Sequence, residues 1–169
     1  MKRAYVGAFA FGTAVGICGV AASDAGAASF DRRISAASCY SDGSDELQWS
    51  GMSLINVSTD YYLTVQCPIP DDPNLIKQNI DIVNVHVYDA DSYLMTSAQT
   101  CFSYYHTNDG ACAMYEVSGS EFTGPKTLQL QRTYWTQSQA NHFMYVQVKL
   151  DRLDDGYQHV RGIWVQGSW

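Results

Sequence analysis

Basic residues are scarce in this sequence. The 169-residue chain has 10 Lys and Arg against 17 Asp and Glu, which gives a formal net charge of -7 at pH 7. A protein that binds nucleic acid neutralises phosphates with a basic stripe, and the sequence has none. Nucleic acid is therefore not an expected partner.

Motifs of the common catalytic and metal-binding classes are also missing. The chain contains no Cys-x-x-Cys pair, no two histidines separated by three intervening residues and no Gly-x-Ser-x-Gly turn. Structural zinc sites use close ligand pairs, and the serine nucleophile of many hydrolases lies on a turn of the last kind. We therefore expect a protein that is not an enzyme and that has no cofactor and no metal.

Clustered acids leave two alternatives open. Paired carboxylates support glycoside hydrolysis when their separation is right, and the sequence does not give that distance. The candidate groups are Asp89/Asp91, Glu116/Glu121 and Asp151/Asp154/Asp155. Calcium ligation is the other alternative, with Asp89, Asp91, Asp154 and Asp155 as candidate ligands. Neither pair matches a complete calcium loop. A small secreted hydrolase is thus an alternative function.

The N-terminus has the pattern of a secretion signal. Residues 1–3 are basic at two positions, residues 4–22 are apolar, and Ala25-Gly26-Ala27 has the form of a signal-peptidase site. We expect residues 1–27 to be a signal peptide, with Ala22 as a second cleavage point and an uncleaved anchor as the alternative. The mature protein is then secreted, extracellular or periplasmic, without a membrane span.

Four cysteines remain once Cys18 leaves with the leader: Cys39, Cys67, Cys101 and Cys112. An even number in an exported chain indicates two disulfides, with three connectivities open. Pairing Cys39 with Cys67 and Cys101 with Cys112 is preferred because it needs no crossing of the sheet. The second bond then requires a loop wider than two residues. The alternative is that Cys39 or Cys67 reaches across the sandwich.

Alternating apolar and polar residues predict strands along most of the chain. Val83, Val85 and Val87 alternate with polar residues, and residues 144–150 repeat the pattern. One-sided strands separated by turn residues are typical of antiparallel sheets, so we predict an all-β, two-sheet sandwich of about eight strands. The predicted strands span residues 47–58, 61–67, 80–88, 97–105, 111–117, 127–132, 143–150 and 160–166.

We expect one domain over residues 47–169, preceded by a polar N-terminal segment over residues 28–46 that lacks regular structure. Thr59-Asp60 supplies polar turn residues between the first two predicted strands, which suggests that these strands form a hairpin. Pro68 and Pro70 should end the second of them, because proline cannot donate a ladder hydrogen bond.

Aromatic residues suggest the function. The chain has 12 Tyr, 6 Phe and 4 Trp, and one member of an adjacent pair on a strand must point away from the core. An outward aromatic beside amides is typical of a sugar platform, so we expect a non-enzymatic module that binds carbohydrate or another surface ligand. The candidate ligand-binding residues are Tyr61, Tyr62, Tyr104, Tyr105, Tyr134 and Trp135. A cell-envelope structural or protein-interaction domain is the other alternative, and the oligomeric state is left open.

The order of several segments resembles a group of small secreted bacterial proteins without an established activity. A leader is followed by a first cysteine at Cys39, by the Cys-Pro-Ile-Pro segment of residues 67–70, and by the Val-x-Val-Tyr-Asp pattern of residues 85–89. The resemblance implies export and a β fold and names no ligand. A late cysteine common in a Tyr-rich strand of that group is absent here from residues 145–148.

Overall fold

The computed structural model describes residues 29–41, 46–70, 75, 77–90, 95–104, 109–119, 123–132, 135, 142–152 and 156–168. The strands are β1 Ser29–Ser35, β2 Leu47–Ser50, β3 Ser53–Asn56, β4 Leu63–Pro68, β5 Ile80–Asp89, β6 Ser97–Tyr104, β7 Gly110–Cys112, β8 Glu116–Val117, β9 Gly124–Gln129, β10 His142–Leu150 and β11 His159–Ser168. Two single 3-10 turns, Ala36–Ser38 and Lys77–Asn79, complete the regular elements of the described part.

The strands form two antiparallel sheets, which confirms the predicted sandwich. The six-stranded sheet has the order β2-β3-β11-β5-β9, and β1 also pairs with β11. The five-stranded sheet has the order β4-β10-β6-β7, and β8 also pairs with β6. The central strands β11 and β10 are consecutive in the chain, so one connection crosses between the middles of the two sheets.

One hydrophobic core lies between the sheets. Val83, Val85 and Val87 of β5 face it from one side, and Val146 and Val148 of β10 face it from the other. These side chains are all nearly inaccessible to solvent. The alternation seen in the sequence arises because every second residue of a strand points to the same face. The remaining residues of both strands therefore lie on the outer faces of the sandwich.

Ser29–Ser35 form a strand, β1, so the prediction that residues 28–46 lack regular structure is wrong for these seven residues. This strand pairs with β11 along its whole length, from Ser29 opposite Ser168 to Ser35 opposite Gly162. Its alternation is interrupted by the exposed Arg32 on the inward side, between Phe30 and Ile34. An edge strand with one charged inward position does not show the period of two that marks the central strands.

The predicted hairpin between residues 47–58 and 61–67 is also wrong. The first segment folds on itself as β2 and β3, with Gly51 at a positive φ of 61° in the turn. β3 then pairs with β11, whereas β4 pairs with β10 in the other sheet. The chain therefore crosses from one sheet to the other between Asn56 and Leu63.

The two disulfides join the cysteines that the sequence argument preferred. Cys39 is bonded to Cys67, and Cys101 is bonded to Cys112. The first bond fastens the chain that follows β1 to β4 and so links the two sheets. The second joins directly opposed residues of β6 and β7. Both half-cystines of the first bond are buried with the core.

Candidate functional site

The outward surface of the five-stranded sheet, here called the five-stranded face, carries three glutamines in register. Gln147 of β10 lies opposite Gln66 of β4 on one side and opposite Gln99 of β6 on the other. Their neighbours Val65, Val146 and Ala98 are fully buried, so the alternation of each strand directs the glutamines outward. Gln66, Gln147 and Gln99 form what we call the amide row.

Hydrogen bonds fix the orientation of the amide row. Gln147 Oε1 accepts from Gln99 Nε2 at 2.6 Å and from the Tyr115 hydroxyl at 3.2 Å. Gln66 Oε1 accepts from the Tyr40 hydroxyl at 3.1 Å. Within the described residues, the side-chain nitrogens of Gln66 and Gln147 have no acceptor. An amide nitrogen carries two donor hydrogens, so these two groups are available to a ligand.

Aromatic side chains border the row. Tyr40 and Tyr115 lie at its two ends and are 56% and 48% exposed. Tyr145 lies on the same face two residues from Gln147, and burial, followed by the proximity of Tyr40, raises its pKa above 10.0. Phe143 is exposed two residues further along β10. The row is thus a polar strip between rings.

Tyr61 and Tyr62 are exposed, and Tyr62 belongs to this surface. The Lys149 ammonium lies 3.7 Å from the centroid of the Tyr62 ring, and Lys149 is opposite Thr64 on the outward side of β10. The carbonyl of Tyr61 accepts a hydrogen bond from Asn56 Nδ2 at 2.9 Å. Tyr62 therefore stands near the five-stranded face, whereas Tyr61 is held by its backbone at the connection from β3 to β4.

Tyr104 does not join them. It is half exposed at the end of β6, where its ring packs edge-on against Phe102 at 5.2 Å and against His142 at 4.7 Å between centroids. Tyr104 and Phe102 share the inward side of β6, opposite to the side of Gln99. The structure therefore places Tyr104 and Tyr62 in two different environments.

Trp135 is not a ligand platform, and its prediction is wrong. The side chain is fully buried in the core, and its Nε1 donates to the carbonyl of Cys101 at 2.9 Å. The polar sequence around it suggested an exposed loop, but the indole fills space beneath β6 and pairs its one donor there. Tyr105 and Tyr134 lie outside the described residues.

The calcium prediction finds no support at Asp89. This carboxylate is buried and accepts hydrogen bonds from the Ser118 hydroxyl, from the Thr96 amide at 3.3 Å and from the Gln158 side chain at 3.4 Å. It joins four segments at one end of the sandwich, which is a structural role. Asp91, Asp154 and Asp155 lie outside the described residues. Among the residues that are described, no three His, Cys, Asp or Glu side chains group to hold a metal ion.

The sequence carried a signal for the amide row that the aromatic argument did not use. The polar side of β4 contains Gln66 between Thr64 and Pro68, and that of β10 contains Gln147 between Tyr145 and Lys149. Each glutamine lies between two other outward residues of its strand. What the sequence does not contain is the register that places them side by side.

Comparisons with known proteins identify no family for this chain. No family model matches it, and no curated protein matches it. Within the described residues, no helix has the length and apolar character needed to cross a membrane.

A solved structure similar to this chain is that of a low-affinity xylan-binding module from the gut symbiont Roseburia intestinalis. Its TM-score is 0.47 and its sequence identity is 12%, and the match covers 80% of this chain and 94% of that chain. A similarity of this size does not identify a ligand, and the resemblance to small secreted bacterial proteins stays a prediction.

Proposed function

We propose that this protein is a non-enzymatic carbohydrate-binding module that holds a neutral glycan along the amide row. The observation that carries the proposal is the pair of amide nitrogens, on Gln66 and Gln147, that have no acceptor within the described residues. They lie side by side on adjacent strands. Sugar hydroxyls accept hydrogen bonds from such donors, and two fixed donors set the orientation of the ring that they bind.

The bordering rings supply the apolar half of the recognition. Tyr40 and Tyr115 extend from the two ends of the row, and Tyr62 and Phe143 lie further along the face. The C–H side of a pyranose packs against an aromatic ring, while its hydroxyls need partners beside the ring. Because the hydroxyls of Tyr40 and Tyr115 are bonded to the glutamines, their rings are held at fixed positions.

The charges of the face favour a neutral ligand and a role without hydrolysis. The strands β4, β10 and β6 are described along their whole lengths, and none of their outward positions carries a carboxylate. Glycoside hydrolysis in most families needs two carboxyl groups beside the scissile bond. Among these outward positions, Lys149 has the one cationic side chain, and its ammonium lies over the Tyr62 ring.

The disulfides support an exported role. Cys39–Cys67 and Cys101–Cys112 close two loops of this domain, and bonds of this kind persist in oxidising compartments outside the cytosol. We therefore place the protein outside the cytoplasm, as a secreted or periplasmic module.

The test is glycan binding by the wild-type protein and by Gln147→Glu. The substitution keeps an oxygen that accepts from Gln99 and Tyr115, and it replaces the free nitrogen with a second oxygen. We expect the wild type to retain at least one neutral polysaccharide on a glycan array and in affinity electrophoresis. Loss of the donor should weaken that binding by about 1–2 kcal/mol, or about five- to thirtyfold.

Gln48→Ala is the matched control. Gln48 is exposed on β2, in the other sheet, so its loss should leave glycan affinity unchanged. Isothermal titration is the appropriate readout, since no described tryptophan is exposed on the five-stranded face. If the wild type binds no neutral glycan, or if Gln147→Glu binds as well as Gln48→Ala, the proposal is wrong and a protein-interaction role takes its place.

A further inference from the structure

The outward surface of the six-stranded sheet contains a groove of about 820 Å³, which we call the cationic groove. It lies on the opposite side of the sandwich from the amide row. Its lining includes Arg33 of β1, His86 of β5, and Arg161, Gly162 and Trp164 of β11. The volume falls within the range of small-molecule sites, which is about 300–1,000 Å³.

The groove exists because the sheet has a gap at Gly162. This residue lies between Ser35 of β1 and His86 of β5, and it has no side chain to fill the space between them. A Cβ added there would come within 2.9 Å of the carbonyl oxygen of Ile34, so close pairing with β1 favours glycine. Neighbouring outward side chains, including that of Trp164, therefore surround an open space above Gly162, which forms the floor of the groove.

Two features of β11 and β1 place cations on this floor. The register of β11 against β5 shifts between Val160 and Gly162, and the exposed Arg161 lies at that irregularity. Its guanidinium is 5.0 Å from the centroid of the Tyr88 ring. Arg33 is exposed and directly opposite Trp164. The two guanidinium groups thus come from either side of the gap.

The lining is positive in an acidic protein. None of the lining side chains is a carboxylate, although the chain has a net charge of -7. Among the described residues, neither Arg33 nor Arg161 has a carboxylate within ion-pair distance. The third basic lining residue, Lys126, donates to the Ser118 carbonyl and is already engaged. The guanidinium groups of Arg33 and Arg161 therefore remain for a ligand.

Trp164 gives the groove a fixed flat wall. Its Nε1 donates to Asp31 Oδ1 at 2.6 Å, which holds the indole in one orientation. Hydroxyl-bearing partners are close by, because Ser35 and Thr127 also line the groove. Thr127 Oγ1 lies 3.0 Å from His86 Nδ1. A flat indole, hydroxyls and two guanidinium groups match a sugar ring that bears a negative charge.

We propose that the cationic groove binds an acidic saccharide, a sugar ring with a carboxylate or sulfate group. The anion lies between Arg33 and Arg161, and the ring packs on Trp164. A carboxylate or sulfate accepts paired hydrogen bonds from a guanidinium, which a neutral sugar cannot do. A nucleic acid is disfavoured, because it carries about one charge per 1.7 Å of duplex and the chain as a whole has a net charge of -7. This site is independent of the amide row.

The experiment compares charged polymers with their uncharged counterparts. Polygalacturonate is measured against its methyl ester, and dextran sulfate against dextran, so that the two arms separate carboxylate from sulfate. We expect at least one charged polymer to bind at least about tenfold more tightly than its neutral form. Binding should weaken when NaCl rises from about 0.05 M to about 0.3 M. Tryptophan fluorescence should change on binding in the wild type and change less in Trp164→Phe.

Arginine variants locate the site. Arg33→Ala and Arg161→Ala should each weaken binding of the charged polymer by about tenfold or more. Arg32→Ala is the matched control, because Arg32 precedes Arg33 on the same strand and points to the opposite side. It should change affinity by less than about twofold. Gln147→Ala should leave this binding intact, which separates the groove from the amide row.

Three results would overturn the proposal. The first is equal binding of each charged polymer and its neutral form. The second is an Arg33→Ala protein that binds as Arg32→Ala does. The third is an oligothymidylate that binds more tightly than polygalacturonate and dextran sulfate, which would indicate a single-stranded nucleic acid in the groove.

Discussion

Replacing Asn56 with alanine should destabilise the domain severely. Asn56 is fully buried at the end of β3, where the chain crosses to the other sheet. Its Nδ2 donates to the carbonyls of Tyr61 and Asp151, each at 2.9 Å, and lies 3.3 Å from the carbonyl of Leu150. Its Oδ1 accepts from the Ser58 amide at 2.8 Å. One side chain thus holds together two connections between strands, the one from β3 to β4 and the one from β10 to β11.

The magnitude follows from these contacts. Three short hydrogen bonds contribute about 1 kcal/mol each, and leaving the Ser58 amide and a carbonyl unpaired in a buried region adds about 1–2 kcal/mol. We expect Asn56→Ala to lower the free energy of unfolding by about 4 kcal/mol. This is a large share of the stability of a domain, which is about 5–15 kcal/mol.

The assay is urea unfolding followed by circular dichroism. Asn84→Ala is the control, because Asn84 is half-buried on the outward side of β5 and should cost less than about 0.5 kcal/mol. The urea concentration at the unfolding midpoint should be much lower for Asn56→Ala than for the wild type, while the dependence of the unfolding free energy on urea, the m-value, stays the same. A loss below about 1 kcal/mol would show that the side chain does not hold the crossing.

Two further predictions concern the disulfides and acid. Replacing both Cys39 and Cys67 with alanine should lower the free energy of unfolding by about 3.6 kcal/mol, and replacing both Cys101 and Cys112 should lower it by about 2.8 kcal/mol. The first loss is larger because that bond closes the longer loop. Equal urea midpoints for the two variants would contradict this prediction. Burial, and secondarily a nearby arginine, lowers the pKa of His159 below 6.5, so the unfolded state takes up more protons and stability falls as the pH drops through that value. His159→Gln should show a smaller loss of stability over this range, and identical profiles for the variant and the wild type would exclude the linkage.

The two-sheet architecture was predictable from the alternation of apolar and polar residues. The two predictions about strands that were wrong, on β1 and on the hairpin, failed for physical reasons. β5 and β10 alternate strictly because both are central strands with one buried face. β1 escaped detection because Arg32 occupies an inward position at the edge of the sheet. The hairpin prediction failed because β3 finds its second partner in β11, about a hundred residues away. Local turn residues carry no information about pairing at that distance.

Only the general kind of the candidate site was predictable. An outward mixture of tyrosines and amides was expected, and the five-stranded face has one. Gln147 acquires its meaning from Gln66 and Gln99, which lie on strands that are neighbours in the sheet and far apart in the chain. Trp135 was predicted to be exposed because its neighbours in the sequence are polar. Its ring can nevertheless be buried, because the carbonyl of Cys101, which is distant in the chain, accepts the indole N–H.

The most direct test of the account is an NMR titration of the side-chain amides with a neutral glycan that the array identifies. If the amide row binds the glycan, the NH2 signals of Gln66 and Gln147 should shift and saturate together, while that of Gln48 stays in place. Binding that leaves both signals unmoved, or that moves the Gln48 signal as much, would contradict the claim that the amide row is the binding site.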